Sequence, residues 1–423
     1  MSHLFKLTAI LLLFFVLFFS PAINPEIPVF SGTLWKYQCV DTVKYSRDTA
    51  REWGGKSDAV EWIEEQVGAI KETGANCISI GTPYDEEFVP FLSLWVEAAR
   101  RHNLHVWFRG NLSSWEGWFS YPLYTDPAEH HRDIYTFIIA HPELFRKGDI
   151  FTPAPEAENG ILKNVWESDA KKEAFRDFLV DSYENCQKAM EKAGVKATCG
   201  YFSVNGDVAK SILTKEVVKK TGNVVVVDHY VKDSKKLVAD VEYLYEKYDA
   251  PVVLGEFGAP IPDIHGYLSE TKQAQVVEDI LDEVYRKKGS VVIEGLNYWT
   301  LLGGSTSLLN DDKSERKVFK TIQKYYKPFV VEGIVTDTRG TRLAGIPLII
   351  GGGKNSIESD RDGNYQILTP YDSIELSISM DKYVPVSESF TRNEDGRQYH
   401  NIVLEPTNPS LFYRFTLWLQ GAK

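Results

Sequence analysis

Glu156 stands in Phe151-Thr-Pro-Ala-Pro-Glu156-Ala-Glu158-Asn159-Gly160, and Glu256 stands in Pro251-Val-Val-Leu-Gly-Glu256-Phe-Gly258, a hundred residues later. Each follows a short strand-like run. Two carboxyls held in different environments can take opposite protonation states, because burial and neighbouring charge push their pKa values apart. Flanking one glycosidic bond, the protonated carboxyl donates to the leaving oxygen while the ionised one attacks the anomeric carbon. The spacing suits a (β/α)8 barrel, in which about 250 residues make eight units and site residues sit at the C-terminal ends of strands. Three such units span roughly 94 residues, so strand ends three units apart would carry the two glutamates.

The elements needed to position them are present as a pattern. After residue 30, eight strand-like runs occur at 34–40, 77–81, 104–109, 149–153, 197–203, 224–229, 252–256 and 295–300. Amphipathic helices fall between several of them. Val60, Ile63, Val67 and Ile70 recur at helical spacing after Asp58, which with Glu61 makes a capping-box start. Phe175, Leu179, Cys186 and Met190 mark a second helix, and Val276, Val277, Ile280, Leu281 and Val284 a third. Strands alternating with helices mean parallel βα units; eight units suggest closure into a barrel, with a doubly wound sheet as the alternative that pattern alone leaves open. Beyond Lys327-Pro328 only short alternating runs remain, punctuated by Gly, Asp and Asn, and these read as a small β-sandwich. The expected fold is therefore α/β, a (β/α)8 TIM barrel (30–327) followed by a small all-β sandwich domain (328–406) and a packing tail (407–423).

Composition narrows the function. The chain has 423 residues and a net charge of −12, with no basic stretch, which speaks against nucleic acid as a partner and slightly favours a neutral substrate. Cys39, Cys77, Cys186 and Cys199 show no metal-ligand spacing; buried free thiols are the expected state. Residues 8–19 are almost wholly apolar, preceded by Lys6 and followed by Ser20-Pro21-Ala22. That length suits a signal-peptide core and is short for a membrane-spanning helix. Residues 1–29 are thus either a signal peptide or an N-terminal membrane anchor through 8–23, and an exported, extracellular or cell-surface protein is expected.

At these motifs the chain resembles the clan A retaining glycoside hydrolases, family 5 among them, over residues 30–325. Gly255-Glu256-Phe257-Gly258 looks like the family's nucleophile, which ends the seventh strand. The family's acid/base glutamate ends the fourth strand in an Asn-Glu-Pro motif; Pro155-Glu156-Ala157 aligns Glu156 with it. Pro155 replaces the usual Asn, removing the amide that meets the sugar's 2-hydroxyl and leaving Glu158 as a rival acid, with Asn159 beside it. Asp228-His229-Tyr230 falls where the family carries a His and a Tyr that hold the nucleophile; a plain buried polar role is the other possibility for His229 and Tyr230. Asn297-Tyr298-Trp299 falls where the family places a Trp beneath the sugar, and Gly303-Gly304 after it suggest an open loop. The third-strand region, Arg109, Asn111, Trp115 and Trp118, could line sugar subsites. Val331-Glu-Gly333, Leu343-Ala-Gly345 and Asp360-Arg-Asp-Gly363-Asn-Tyr365 resemble the carboxypeptidase regulatory-like fold, which implies an accessory sandwich; the aspartates there are expected in a turn.

The resemblance implies hydrolysis of a β-linked poly- or oligosaccharide by double displacement, with no cofactor and no metal. Two rivals stay open at this point: a cell-surface carbohydrate-binding protein on a decayed barrel, motivated by the missing Asn, and a transglycosylase.

Overall fold

The computed structural model describes residues 32–110, 126–160, 162, 164–351 and 355–408. Nine parallel strands make one curled sheet: β1 (Tyr37–Asp41), β2 (Cys77–Thr82), β3 (His105–Gly110), β4 (Ile150–Thr152), β5 (Thr198–Cys199), β6 (Ser203–Asn205), β7 (Val225–Asp228), β8 (Val252–Phe257) and β9 (Ile293–Tyr298). Their spatial order is β5-β4-β3-β2-β1-β9-β8-β7-β6. β5 and β6 are two halves of a single barrel strand, broken where Gly200 and Tyr201 take positive φ values of 110° and 56°. The first half pairs with β4 and the second with β7. Across the break the Glu156 N–H donates to the Ser203 carbonyl over 2.9 Å. The ends of the sheet thus meet, and the eight expected runs form an eight-stranded TIM barrel.

Local chemistry accounts for the differences in detail. The first run begins later than expected because the Leu34 and Trp35 amides donate to the Gln38 side chain at 2.9 and 3.3 Å, which curls 34–36 into a turn. Helix α1 (Ala59–Glu72) starts after Asp58 as the pattern implies, but the Asp58 side chain makes no capping bond. Its anchoring comes instead from Ile63, Val67 and Ile70, all fully buried against the barrel wall, each contributing roughly 1.5–3 kcal/mol by burial. Further helices include α2 (Val89–Arg101), α3 (Asp169–Ala193), α4 (Ser234–Tyr248), α5 (Glu270–Arg286) and α6 (Lys317–Tyr326). At the base of the barrel, Arg100 of α2 clamps the fully buried Asp149 at 2.8 and 2.5 Å, and Asp149 also accepts from the Val106 amide.

The cysteine expectation is overturned. Cys39 and Cys77 face each other in register on β1 and β2 inside the barrel and are joined, as are Cys186 of α3 and Cys199 of β5. The chain has four cysteines, and none is free. Adjacent parallel strands bring directly opposed side chains close together, a proximity that a separation of 38 residues does not reveal.

From Phe329 the chain builds two four-stranded sheets. One has β10 (Phe329–Asp337) between β13 (Asn364–Thr369) and β16 (Arg397–Tyr399), with β17 (Ile402–Leu404) also on β10; the other runs β12 (Asn355–Glu358), β11 (Pro347–Ile350), β14 (Ser373–Met380), β15 (Tyr383–Thr391). Val331, Leu348, Tyr365, Ile367, Leu376, Ile378 and Ile402 fill the space between them. Asp360 caps a turn, its Oδ1 accepting from the amides of Asp362 and Asn364 at 2.9 and 2.8 Å. The sandwich docks on the C-terminal ends of α5 and α6: Tyr371 donates to Asp282 at 2.5 Å, Tyr285 donates to the Leu368 carbonyl at 3.2 Å, and the two rings meet edge to face. In a barrel these helix ends lie beneath the N-terminal ends of the strands, so the sandwich sits at the pole opposite the mouth. Among the described residues no helix is long and apolar enough to cross a membrane; residues 8–23 and the apolar tail at 411–420 lie outside them.

Candidate active site

The C-terminal strand ends converge on one guanidinium. Arg109 of β3 points into the barrel mouth with 6% of its side chain exposed. Its Nη1 donates to Asp41 Oδ2 at the end of β1 (3.0 Å) and to Glu256 Oε1 of β8. Its Nη2 donates to Ser203 Oγ and to Asp228 Oδ2, each at 3.3 Å. Burial works against the charge on Arg109, but Glu256, Asp228 and Asp41 outweigh it and keep the group cationic.

Glu256 is half-buried and held at both oxygens, Oε1 by Arg109 and Oε2 by the Tyr230 hydroxyl at 3.0 Å. Burial, reinforced by the charge on Glu256, pushes the Tyr230 phenol well above its ordinary value, so it stays a donor. Two donors of this kind stabilise an ionised carboxylate and fix its rotamer. Asn297 of β9 is fully buried and supports the cluster from below, donating to the Gly255 carbonyl at 2.8 Å and to Asp41 at 3.2 Å while accepting from Ser79 at 2.9 Å.

The turn after β4 presents the other two glutamates. Glu156 takes a left-handed conformation (φ 47°, ψ 44°), and its carboxylate is near enough to Asp228 to raise that group. Glu158 turns into the protein instead. Its Oε1 accepts from the Asn205 amide at 2.6 Å, its Oε2 is buried without a partner, and burial lifts the carboxyl to about 7. Asn159 is exposed and contributes its amide to the Glu156 carbonyl.

Trp299 follows β9, half-buried, with its indole edge-on to Tyr230 at 6.4 Å. The glycine after it serves packing more than openness: a Cβ on Gly304 would lie 2.9 Å from the indole. Asn111, Trp115 and Trp118 lie outside the described residues.

His229 stands apart from the cluster. Consecutive strand residues face opposite sides, so Asp228 and Tyr230 point into the mouth and His229 points outward, where its Nε2 meets Asp240 of α4 at 2.8 Å. Burial opposes ionisation of Asp240, but bonds from Lys210, Lys236 and His229 prevail and bring it down to about 2. Together they line a polar cavity of about 410 Å³ at the end of β7, whose wall Asp228 and Tyr230 share. The position expected for a histidine beside the nucleophile is taken by Asp228. Asp41 and Ser203 carry no sequence motif; their only signal is a polar residue at or near the end of an apolar strand. Among the described residues no group of His, Cys, Asp and Glu could hold a metal ion.

No protein-family model and no curated protein matches the chain. Among solved structures, xylanase 10B from Thermotoga maritima aligns at 13% identity and a TM-score of 0.45, covering 69% of this chain and 94% of its own. A family 30 subfamily 8 xylanase from Clostridium acetobutylicum aligns at 10% identity and 0.45, over 85% of this chain and 81% of its own. A family 1 β-glucosidase from Thermotoga maritima aligns at 9% and 0.49, over 70% and 97%. The barrel stands on its own strand order, and the reaction has to be argued from the geometry of the mouth.

Proposed function

We propose that the protein is a retaining glycoside hydrolase that cleaves β-linked poly- or oligosaccharides. The observation that carries this reading is Glu256, at the end of the seventh barrel strand, held at both carboxylate oxygens by Arg109 and Tyr230. Its partner is Glu156, on the turn that ends the fourth strand. Glu256 attacks the anomeric carbon and forms a glycosyl ester, while Glu156 gives its proton to the leaving oxygen. Glu156 then takes a proton from the water that opens the ester. Trp299 offers a ring face beside Tyr230 on which a sugar can stack. Glu158, tied to the Asn205 amide, supports the turn that carries Glu156.

Export fits the same reading. Two disulfides in one chain suit an oxidising compartment, and the apolar segment at 8–19 suits a leader or an anchor. The sandwich, at the pole away from the mouth, serves as a spacer or wall-facing module.

Intact-mass analysis after incubation with activated 2-deoxy-2-fluoro β-glycosides tests the proposal. One glycosyl unit added to the wild type and absent from Glu256→Gln is the expected result. Glycan binding with no adduct and no release of reducing ends would overturn it in favour of a binding protein.

A further inference from the structure

Arg109 serves three carboxylates, and they are not equally provided for. Asp41 also receives the Val43 amide at 2.7 Å and Asn297 at 3.2 Å, and Glu256 receives Tyr230. Asp228 has the long bond from Arg109 with the Ser203 hydroxyl beside it, while its other oxygen, Oδ1, is buried and has no partner. One cation cannot offset three anions, and the carboxyl left with a buried, unpartnered oxygen is the one that keeps a proton.

We propose that Asp228 is a positioning residue that works in its protonated form, occupying one side of Arg109 as a neutral neighbour so that the guanidinium is left to Glu256. This rests on the glycosidase reading above. The surroundings are built for it. A Cβ on Gly255 would lie 2.5 Å from Asp228 Oδ1, so a glycine on β8 makes room for the carboxyl. The charged and titratable groups facing it are Arg109 from β3, Glu256 from β8, Glu156 from the turn after β4 and Tyr230 beyond its own strand. Asp41 lies across the guanidinium. Lys210, Lys236, Asp207, His229 and Asp240 lie in the cavity whose wall Asp228 shares. Burial and the charge on Glu256 raise Asp228, Arg109 lowers it, Glu156 raises it again, and a hydrogen bond from Ser203 works the other way without reversing the direction. Ionised, Asp228 would compete for Arg109 and place a second anion beside the nucleophile.

Two variants and one spectrum test this. In Asp228→Asn an amide of the same shape, permanently neutral, should keep kcat/KM on an activated aryl β-glycoside within about threefold of wild type, whereas Asp228→Ala should lose more than about tenfold. In protein labelled with carboxyl-¹³C aspartate, the resonance missing from Asp228→Asn should sit at the protonated position throughout the pH range in which the wild type works. An ionised resonance there, or an Asn variant as damaged as the Ala variant, overturns the proposal. A protonated resonance in a protein that cleaves no β-glycoside would leave the neutral carboxyl standing and overturn the reaction alone.

Discussion

The Tyr230 hydroxyl donates to Glu256 Oε2 over 3.0 Å, while the adjacent residue, His229, is turned to the other side of the barrel wall. Removing the hydroxyl leaves one oxygen of Glu256 without its donor. Tyr230→Phe should therefore lower kcat/KM by about 10- to 100-fold, the worth of a hydrogen bond to a charged group. His229→Ala should change it by less than about threefold and show its cost in thermal stability instead. Steady-state kinetics and melting curves on the two variants check the contrast; equal kinetic damage would mean that His229 acts on Glu256 after all.

Glu156 and Glu158 separate by leaving group. Glu156→Ala should slow alkyl or sugar leaving groups by about 10²- to 10⁴-fold and leave a dinitrophenyl glycoside much less affected, since that leaving group needs no proton. Glu158→Gln should stay within about tenfold on both. The opposite ranking, read from kcat/KM on the two substrate classes, would move the acid role to Glu158.

Glu158 also makes a pH-dependent stability difference. Its folded-state value of about 7 lies above the ordinary 4.5, so the folded protein holds a proton that the unfolded chain releases. Wild-type stability then falls as pH rises from 4.5 to about 7 and stays reduced above it. Glu158→Gln has no such proton to lose. Its melting temperature should gain on the wild type across that window, by an amount equivalent to at most about 3 kcal/mol, and match it more closely below. A difference that does not vary with pH would contradict this.

The Cys186–Cys199 bond ties the two-residue strand β5 to α3 and closes a short loop, with a separation of 13. Replacing both cysteines by serine should cost about 3 kcal/mol, measurable by denaturant unfolding. Alkylation of the denatured, unreduced wild type should add no mass; any uptake would mean free thiols.

The strand ends were legible in the residue pattern because hydrophobic runs and the glutamates after them are local features. Asp228 and His229 show where that stops. Which of two neighbours faces the mouth depends on the pleat, and a one-residue shift exchanges them. Asp41 was missed for a related reason: a lone aspartate after Tyr37-Gln-Cys-Val gains meaning only when β3 brings Arg109 beside it. The cysteine pairs needed strand register. β12, β16 and β17 carry little signal of their own, being too short or too polar to alternate, as in Arg397-Gln-Tyr399. Neighbours in the sheet hold them in place.

The docking of the sandwich on α5 and α6 decides which way the barrel faces. A Cβ on Gly32 would lie 3.2 Å from Arg397 of β16, so the described chain begins beside the sandwich, at the pole away from Glu256. Among the described residues the sandwich does not reach the mouth, so a ligand lying there would meet barrel loops and not the second domain. A protein tethered at that pole would hold its reactive rim outermost, toward the polymer.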